Sequence, residues 1–168
     1  MQRRLCLHFL AVTAGLSLVG CGFALRAAPN FVFKTLFSPL GESSVLGNAL
    51  KRSLESGSAV RVITDVRQID QAEVVLDVLQ DQREKVVVGV NASGQVREFQ
   101  LRILFKFKLR NARGIELIAP TEITQQRDIS FNESAVLAKE AEENLLYRDM
   151  ENDIVQQIMR RLAAVKTL

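Results

Sequence analysis

Between Phe99 and Arg110 the chain alternates without interruption. Phe99, Leu101, Ile103, Phe105, Phe107 and Leu109 occupy one parity; Gln100, Arg102, Leu104, Lys106, Lys108 and Arg110 occupy the other. A period of two places the first set on one face of a strand and most of the charge on the opposite face. Asn111-Ala112-Arg113-Gly114 is a turn signal, and Ile115–Arg127 predicts a further strand. Pro120 near its start argues for an edge position or a bulge, since proline donates nothing to a ladder. Upstream, Ala72–Val90 is valine-rich and alternates over part of its length, and Asn91-Ala92-Ser93-Gly94 closes it. The middle of the chain therefore reads as a meander of three long strands joined by two tight turns.

The flanks carry other periods. Phe31–Phe37 is a β-favouring aromatic segment that ends at Ser38-Pro39. Leu46, Leu50 and Leu54 recur every four residues after a cap at Ser43 or Ser44, so a helix is predicted up to Gly57. Ala59–Thr64 reads as a short strand and Asp65–Gln71 as a polar connection. From Ser134 to Val165 the chain contains neither Gly nor Pro and predicts helix, started by Asn132 or by a Ser130/Glu133 capping box. Its apolar stripe drifts from Leu137, Ala138, Ala141 and Leu145 to Val155, Ile158, Met159 and Leu162. The helix either curves across a sheet or breaks near Arg148-Asp149. This order of elements suggests an α+β sandwich with two helices on the apolar face of one sheet and a charged face left free.

The N-terminus is of a different kind. Arg3 and Arg4 precede an apolar run, Leu5–Val19, which is short of the ~20 residues a membrane span needs. It closes at Leu18-Val19-Gly20-Cys21, a lipobox. The expectation is a cleaved lipoprotein signal peptide at 1–20, with Cys21 carrying N-palmitoyl and S-diacylglycerol groups and 21–30 forming a short tether. At ~3.3–3.6 Å per residue that tether reaches at most ~35 Å from the membrane. A single domain fills 31–168. With Gly22 after the cysteine, where Asp would retain the chain at the inner membrane, release to the periplasmic leaflet of the outer membrane is expected.

Cleavage also changes the chemistry. His8 is the one histidine and Cys6 the one cysteine besides Cys21, so the mature chain has no free thiol and no imidazole. Histidine triads, thiol nucleophiles and His/Cys zinc sites are thereby excluded, and an enzyme is not expected. Asp149/Asp153 lack a third ligand, so no metal or other cofactor is expected. Of the 22 basic residues Arg3 and Arg4 leave with the signal, setting 20 against 19 acidic. The pI of 9.1 overstates the basicity of what remains, and nucleic-acid binding is not expected.

Several stretches resemble the LPS-assembly lipoprotein LptE family in order and spacing. They are the lipobox running into Gly22-Phe23-Ala24-Leu25-Arg26, then Arg97-Glu98-Phe99-Gln100-Leu101, then Arg127-Asp128-Ile129-Ser130-Phe131-Asn132. Leu137-Ala138-Lys139-Glu140 and Tyr147-Arg148-Asp149-Met150 complete the set. The resemblance implies two helices on one face of a four-stranded, mostly antiparallel sheet. It also implies a plug and assembly partner for the LptD outer-membrane barrel, and lipopolysaccharide binding through basic residues. One of those maps to Lys139. Another lies in the loop between the long central strands, where this chain has no basic residue and Arg97 is nearest. Arg102, Lys106 and Lys108 on the strand face complete the expected contact set. The alternative is an outer-membrane binding lipoprotein facing the periplasm with no barrel partner.

Overall fold

In a computed structural model of the chain, residues 29–58 and 60–168 are described. The signal peptide, Cys21 and most of the 21–30 tether lie outside the described residues. The elements are β1 (Thr35–Phe37), α1 (Val45–Ser58), β2 (Arg61–Ile63), a 3-10 turn (Val66–Gln71), β3 (Val74–Val90), β4 (Val96–Asn111), β5 (Glu116–Ser130), a second 3-10 turn (Glu133–Ala135) and α2 (Val136–Ala164).

The sheet has five strands in the order β2-β1-β3-β4-β5, one more than the resemblance implied, and it is mixed. β1 pairs parallel with both β2 and β3, while β3, β4 and β5 form the expected antiparallel meander. The parallel pair follows from connectivity: a helix between two strands of one sheet carries the chain back to its starting end. Ser44 caps α1 by accepting the Gly47 amide at 3.0 Å, and the helix runs one residue past Gly57.

The two meander turns use one solution. Asn91 Oδ1 accepts the amides of Ser93 and Gln95, and Asn111 Oδ1 accepts those of Arg113 and Ile115, all at 2.9–3.0 Å. Gly94 and Gly114 follow at φ 78° and 85°, a region open to glycine at little steric cost. Pro120 meets both of its expectations: β5 is an edge strand, and the four residues from Ile118 to Thr121 oppose three on β4, Phe107 to Leu109.

α2 is one continuous helix of 29 residues, ~43 Å long at 1.5 Å per residue. Asn132 caps the turn that leads into it, accepting the Ser134 amide at 3.0 Å. The drift of its apolar stripe has a structural cause. From Met150 to Leu162 the helix packs between α1 and the sheet, and Met150, Ile154, Val155, Ile158, Met159 and Leu162 are buried. The N-terminal half extends beyond α1 along a three-stranded ribbon. There Leu137, Ala138, Ala141 and Leu145 remain exposed, Leu137 at 82 % and Leu145 at 58 %.

The main core lies between the helices and the sheet and is built on the alternating face of β4. Leu101, Ile103, Phe105, Phe107 and Leu109 are fully buried, each side chain contributing ~1.5–3 kcal/mol by leaving water. A second, small core of Phe37, Ile63, Ala72 and Val75 lies apart from it. Ile69 from the 3-10 turn packs on that cluster, so Asp65–Gln71 does more than connect.

Candidate functional site

The register decides what flanks the apolar strand. On the helix side β4 presents Phe99, Leu101, Ile103 and Phe105, opposite Val87, Lys85, Arg83 and Asp81 on β3. Across the other margin Leu101 is opposite Arg127 and Ile103 opposite Gln125. α2 lies over this face and is fastened along both margins. Arg83 pairs with Glu151, Lys85 with Glu143 at 2.6 Å, and Arg127 with Asp153 at 3.0 Å. The Tyr147 hydroxyl donates to the Glu84 carbonyl at 3.0 Å, and the Arg83 guanidinium stands 5.2 Å from the Tyr147 ring centroid. Burial pushes the Tyr147 phenol pKa up; the Glu143 carboxylate adds to the rise and Arg83 opposes it.

The opposite face carries Arg102, Lys106 and Lys108, as the alternation predicts, but not as a positive patch. Arg102 is opposite Glu84, Lys106 opposite Glu122, and Arg110 opposite Glu116. Asp77 lies 2.9 Å from Arg110 and 3.9 Å from Lys108. Polar ladders run along it: Gln80 donates to Gln82 and Gln82 to Glu84, each at 2.9 Å, while Arg102 bonds Gln100, which bonds Asp128. Strand pairing thus turns one basic strand into a surface of alternating sign. That follows from register and cannot be read from β4 alone.

The other two predicted residues lie at the far end of the ribbon. Lys139 Nζ donates to Ser130 Oγ at 2.9 Å and to the Glu142 carboxylate at 2.8 Å. It lines a cleft of about 70 Å³ between the first turns of α2 and the ends of the long strands. Phe99, Ile129, Phe131 and Val136 supply its apolar lining, with Phe99 and Phe131 edge to face at 5.4 Å. Lys85 lines the same cleft, its ammonium 4.4 Å from the Phe99 ring centroid. Arg97 is exposed on the projecting β3–β4 hairpin, bonded weakly to Gln95 at 3.5 Å.

Arg102, Lys106 and Lys108 therefore do not join Lys139; they occupy the other side of the sheet. Lys85 is the residue that sequence reasoning missed. Its parity with Val87 was the available signal, but Leu79, an unpaired extra residue on β3, breaks the alternation upstream. No group of three or more His, Cys, Asp or Glu that could hold a metal occurs among the described residues. Asp153, one of the two acids weighed for that role, is engaged by Arg127.

A long helix clasped to a ribbon by ion pairs, a mixed-charge sheet face and a shallow two-lysine cleft define an elongated α+β body built for contact with other molecules. Residues 33–162 match the family described as LptE, lipopolysaccharide-assembly, and the chain belongs to that family. The LPS-assembly lipoprotein LptE of Pectobacterium atrosepticum is 27 % identical over 168 residues, 98 % of this chain and 88 % of that protein. Among solved structures, uncharacterized lipoprotein B from Nitrosomonas europaea is 32 % identical with a TM-score of 0.69, covering 85 % of this chain and 91 % of the other. A minor lipoprotein from Acinetobacter baumannii, 25 % identical, has a TM-score of 0.61 over 80 % and 93 % of the two chains. The family is one of lipopolysaccharide assembly. No helix among the described residues is long and apolar enough to cross a membrane.

Proposed function

We propose that the chain is a lipoprotein anchored through Cys21 at the periplasmic leaflet of the outer membrane, where it plugs and helps to assemble the LptD barrel and binds lipopolysaccharide. The observation that carries the barrel reading is the uncovered sheet face. Its charges alternate in sign across three strands and its glutamines are chained by hydrogen bonds. Such a face suits the polar interior of a large outer-membrane barrel, whose own wall supplies further donors and acceptors. Arg102, Lys106 and Lys108 fit this contact better than a phosphate site, because Glu84 and Glu122 stand opposite the first two in register and Asp77 lies 3.9 Å from the third. Lipopolysaccharide binding then falls to Lys139, with Arg97 beyond it on the hairpin. Crosslinking and co-purification from detergent-solubilised outer membranes test the partnership. Recovery with LptD is expected; recovery of the monomer alone overturns it and favours a periplasm-facing binding lipoprotein. Cys21→Ser should leave an uncleaved precursor in the inner membrane, and normal processing would contradict the anchor.

A further inference from the structure

The cleft at the start of α2 holds two ammonium groups, and each already has a carboxylate. Lys139 pairs with Glu142 and Lys85 with Glu143. Beneath them lies an apolar floor that includes Phe99 and Phe131. Glu140 lines the cleft as well, so the two lysines are fully matched by acids and leave no surplus positive charge to hold a diffuse anion. An anion that draws fully on both lysines competes with these carboxylates, and a compact phosphate competes well because several of its oxygens accept charge-assisted bonds. Acyl chains carried elsewhere on the same phosphorylated molecule would meet the phenylalanines.

We infer that Lys85 and Lys139 act together on a lipid phosphate of lipopolysaccharide, with Glu142 and Glu143 as internal placeholders that the phosphate displaces. This rests on the lipopolysaccharide-binding reading above and adds to it a second cation and a built-in competitor. The geometry is specific. Lys139 and Glu143 stand one helical turn apart on α2, while Lys85 reaches the same cleft from β3 and pairs there with Glu143. Glu143 is thus positioned to hold Lys85 in the empty site and to weaken the filled one.

The test measures binding of the full-length chain in detergent to purified lipopolysaccharide, to the same lipopolysaccharide after enzymatic dephosphorylation, and to phosphatidylglycerol vesicles. Lys85→Met, which keeps the aliphatic stem over Phe99, should weaken lipopolysaccharide binding about tenfold, the value of one charge-assisted bond. Lys139→Met should do the same. Glu143→Gln should strengthen binding roughly threefold or more by removing the competitor. Lys85→Arg should bind as the parent does. All these differences should vanish with the dephosphorylated ligand.

If the parent chain fails to bind lipopolysaccharide, the reading under Proposed function falls. If it binds and Lys139→Met weakens it while Lys85→Met does not, that reading stands and the paired-cation inference is overturned. Loss in both Lys85→Met and Lys85→Arg overturns it as well, since packing rather than charge would then set the affinity. Weaker binding in Glu143→Gln refutes the placeholder role. A loss confined to phosphatidylglycerol vesicles overturns the choice of ligand.

Discussion

Glu151 is the most exacting electrostatic position in the fold, and its dependence on Arg83 can be measured. It is 3 % exposed, and one carboxylate oxygen is taken by Arg83 while the other has no hydrogen-bond partner among the described residues. Arg83 is 46 % exposed and is clasped between Glu151 and the Tyr147 ring, one turn apart on α2. Truncating one partner of a buried ion pair ordinarily costs about 3–5 kcal/mol, because the other charge is left without compensation. Here the outer end of Arg83 reaches solvent, so water can partly replace it, and a cost of ~2–3 kcal/mol is expected for Arg83→Met. For a chain of this length that lowers the melting temperature by about 4–12 °C. Replacing both members by apolar side chains removes the buried charge together with its partner, and such exchanges are often neutral. Arg83→Met/Glu151→Met should therefore lie within about 1 kcal/mol of the parent, so the two single losses should exceed the double loss by at least ~1 kcal/mol in a double-mutant cycle. Urea unfolding of the parent, both single variants and the double variant closes the cycle. Additive losses would falsify the argument, because Glu151 would then be solvated by something other than Arg83.

Three further outcomes follow from particular contacts. Asn111→Ala removes two amide bonds at a buried turn, at about 1 kcal/mol each, whereas Asn91→Ala opens the same bonds at a solvated tip. Unfolding curves should separate the two by ~1 kcal/mol, and equal losses would contradict a role for burial. Gly47→Ala ordinarily gains ~1 kcal/mol in a helix interior, but its Cβ would stand 2.7 Å from Leu40 Cβ, so the sign should reverse; a stabilised variant would show that Leu40 yields freely. Tyr147 is the single tyrosine and tryptophan is absent, so tyrosinate absorbance reports it alone. Its pKa is raised on folding, so its contribution is intact below the unfolded value near 10 and is lost as pH rises through the folded value. A titration midpoint at or below that of the urea-unfolded chain would contradict the burial of the phenol.

How far the fold is legible in sequence depends on length and neighbours. β4 could be read because its alternation is long enough to identify a buried face. The two Asn-Ala-X-Gly turns could be read because their chemistry is local. Pro120 announced an edge because a missing donor has few places to go. The parallel β1–β2 pair could not be seen as such: three-residue strands are too short to carry a period, and orientation comes from the connecting helix. The exposed Leu137–Leu145 stripe looked like core because helical periodicity records which face is apolar and not whether another element reaches it. Lys139 stood out through its segment, whereas its partner Lys85 emerges only when β3 is set in register against β4. For the same reason the basic strand face looked positive until its acidic neighbours were placed beside it.

The separation of the two ends of the molecule has a consequence for its placement. The chain enters the fold at β1, which is paired with the first residues of β3, while Lys85 and the cleft lie about ten residues further along that strand. At ~3.3 Å per residue the body sets these points ~33 Å apart, close to the thickness of a bilayer's hydrocarbon core. Under the proposed anchor at Cys21, a β1 end drawn in against one leaflet by a short tether would leave the two lysines level with the other.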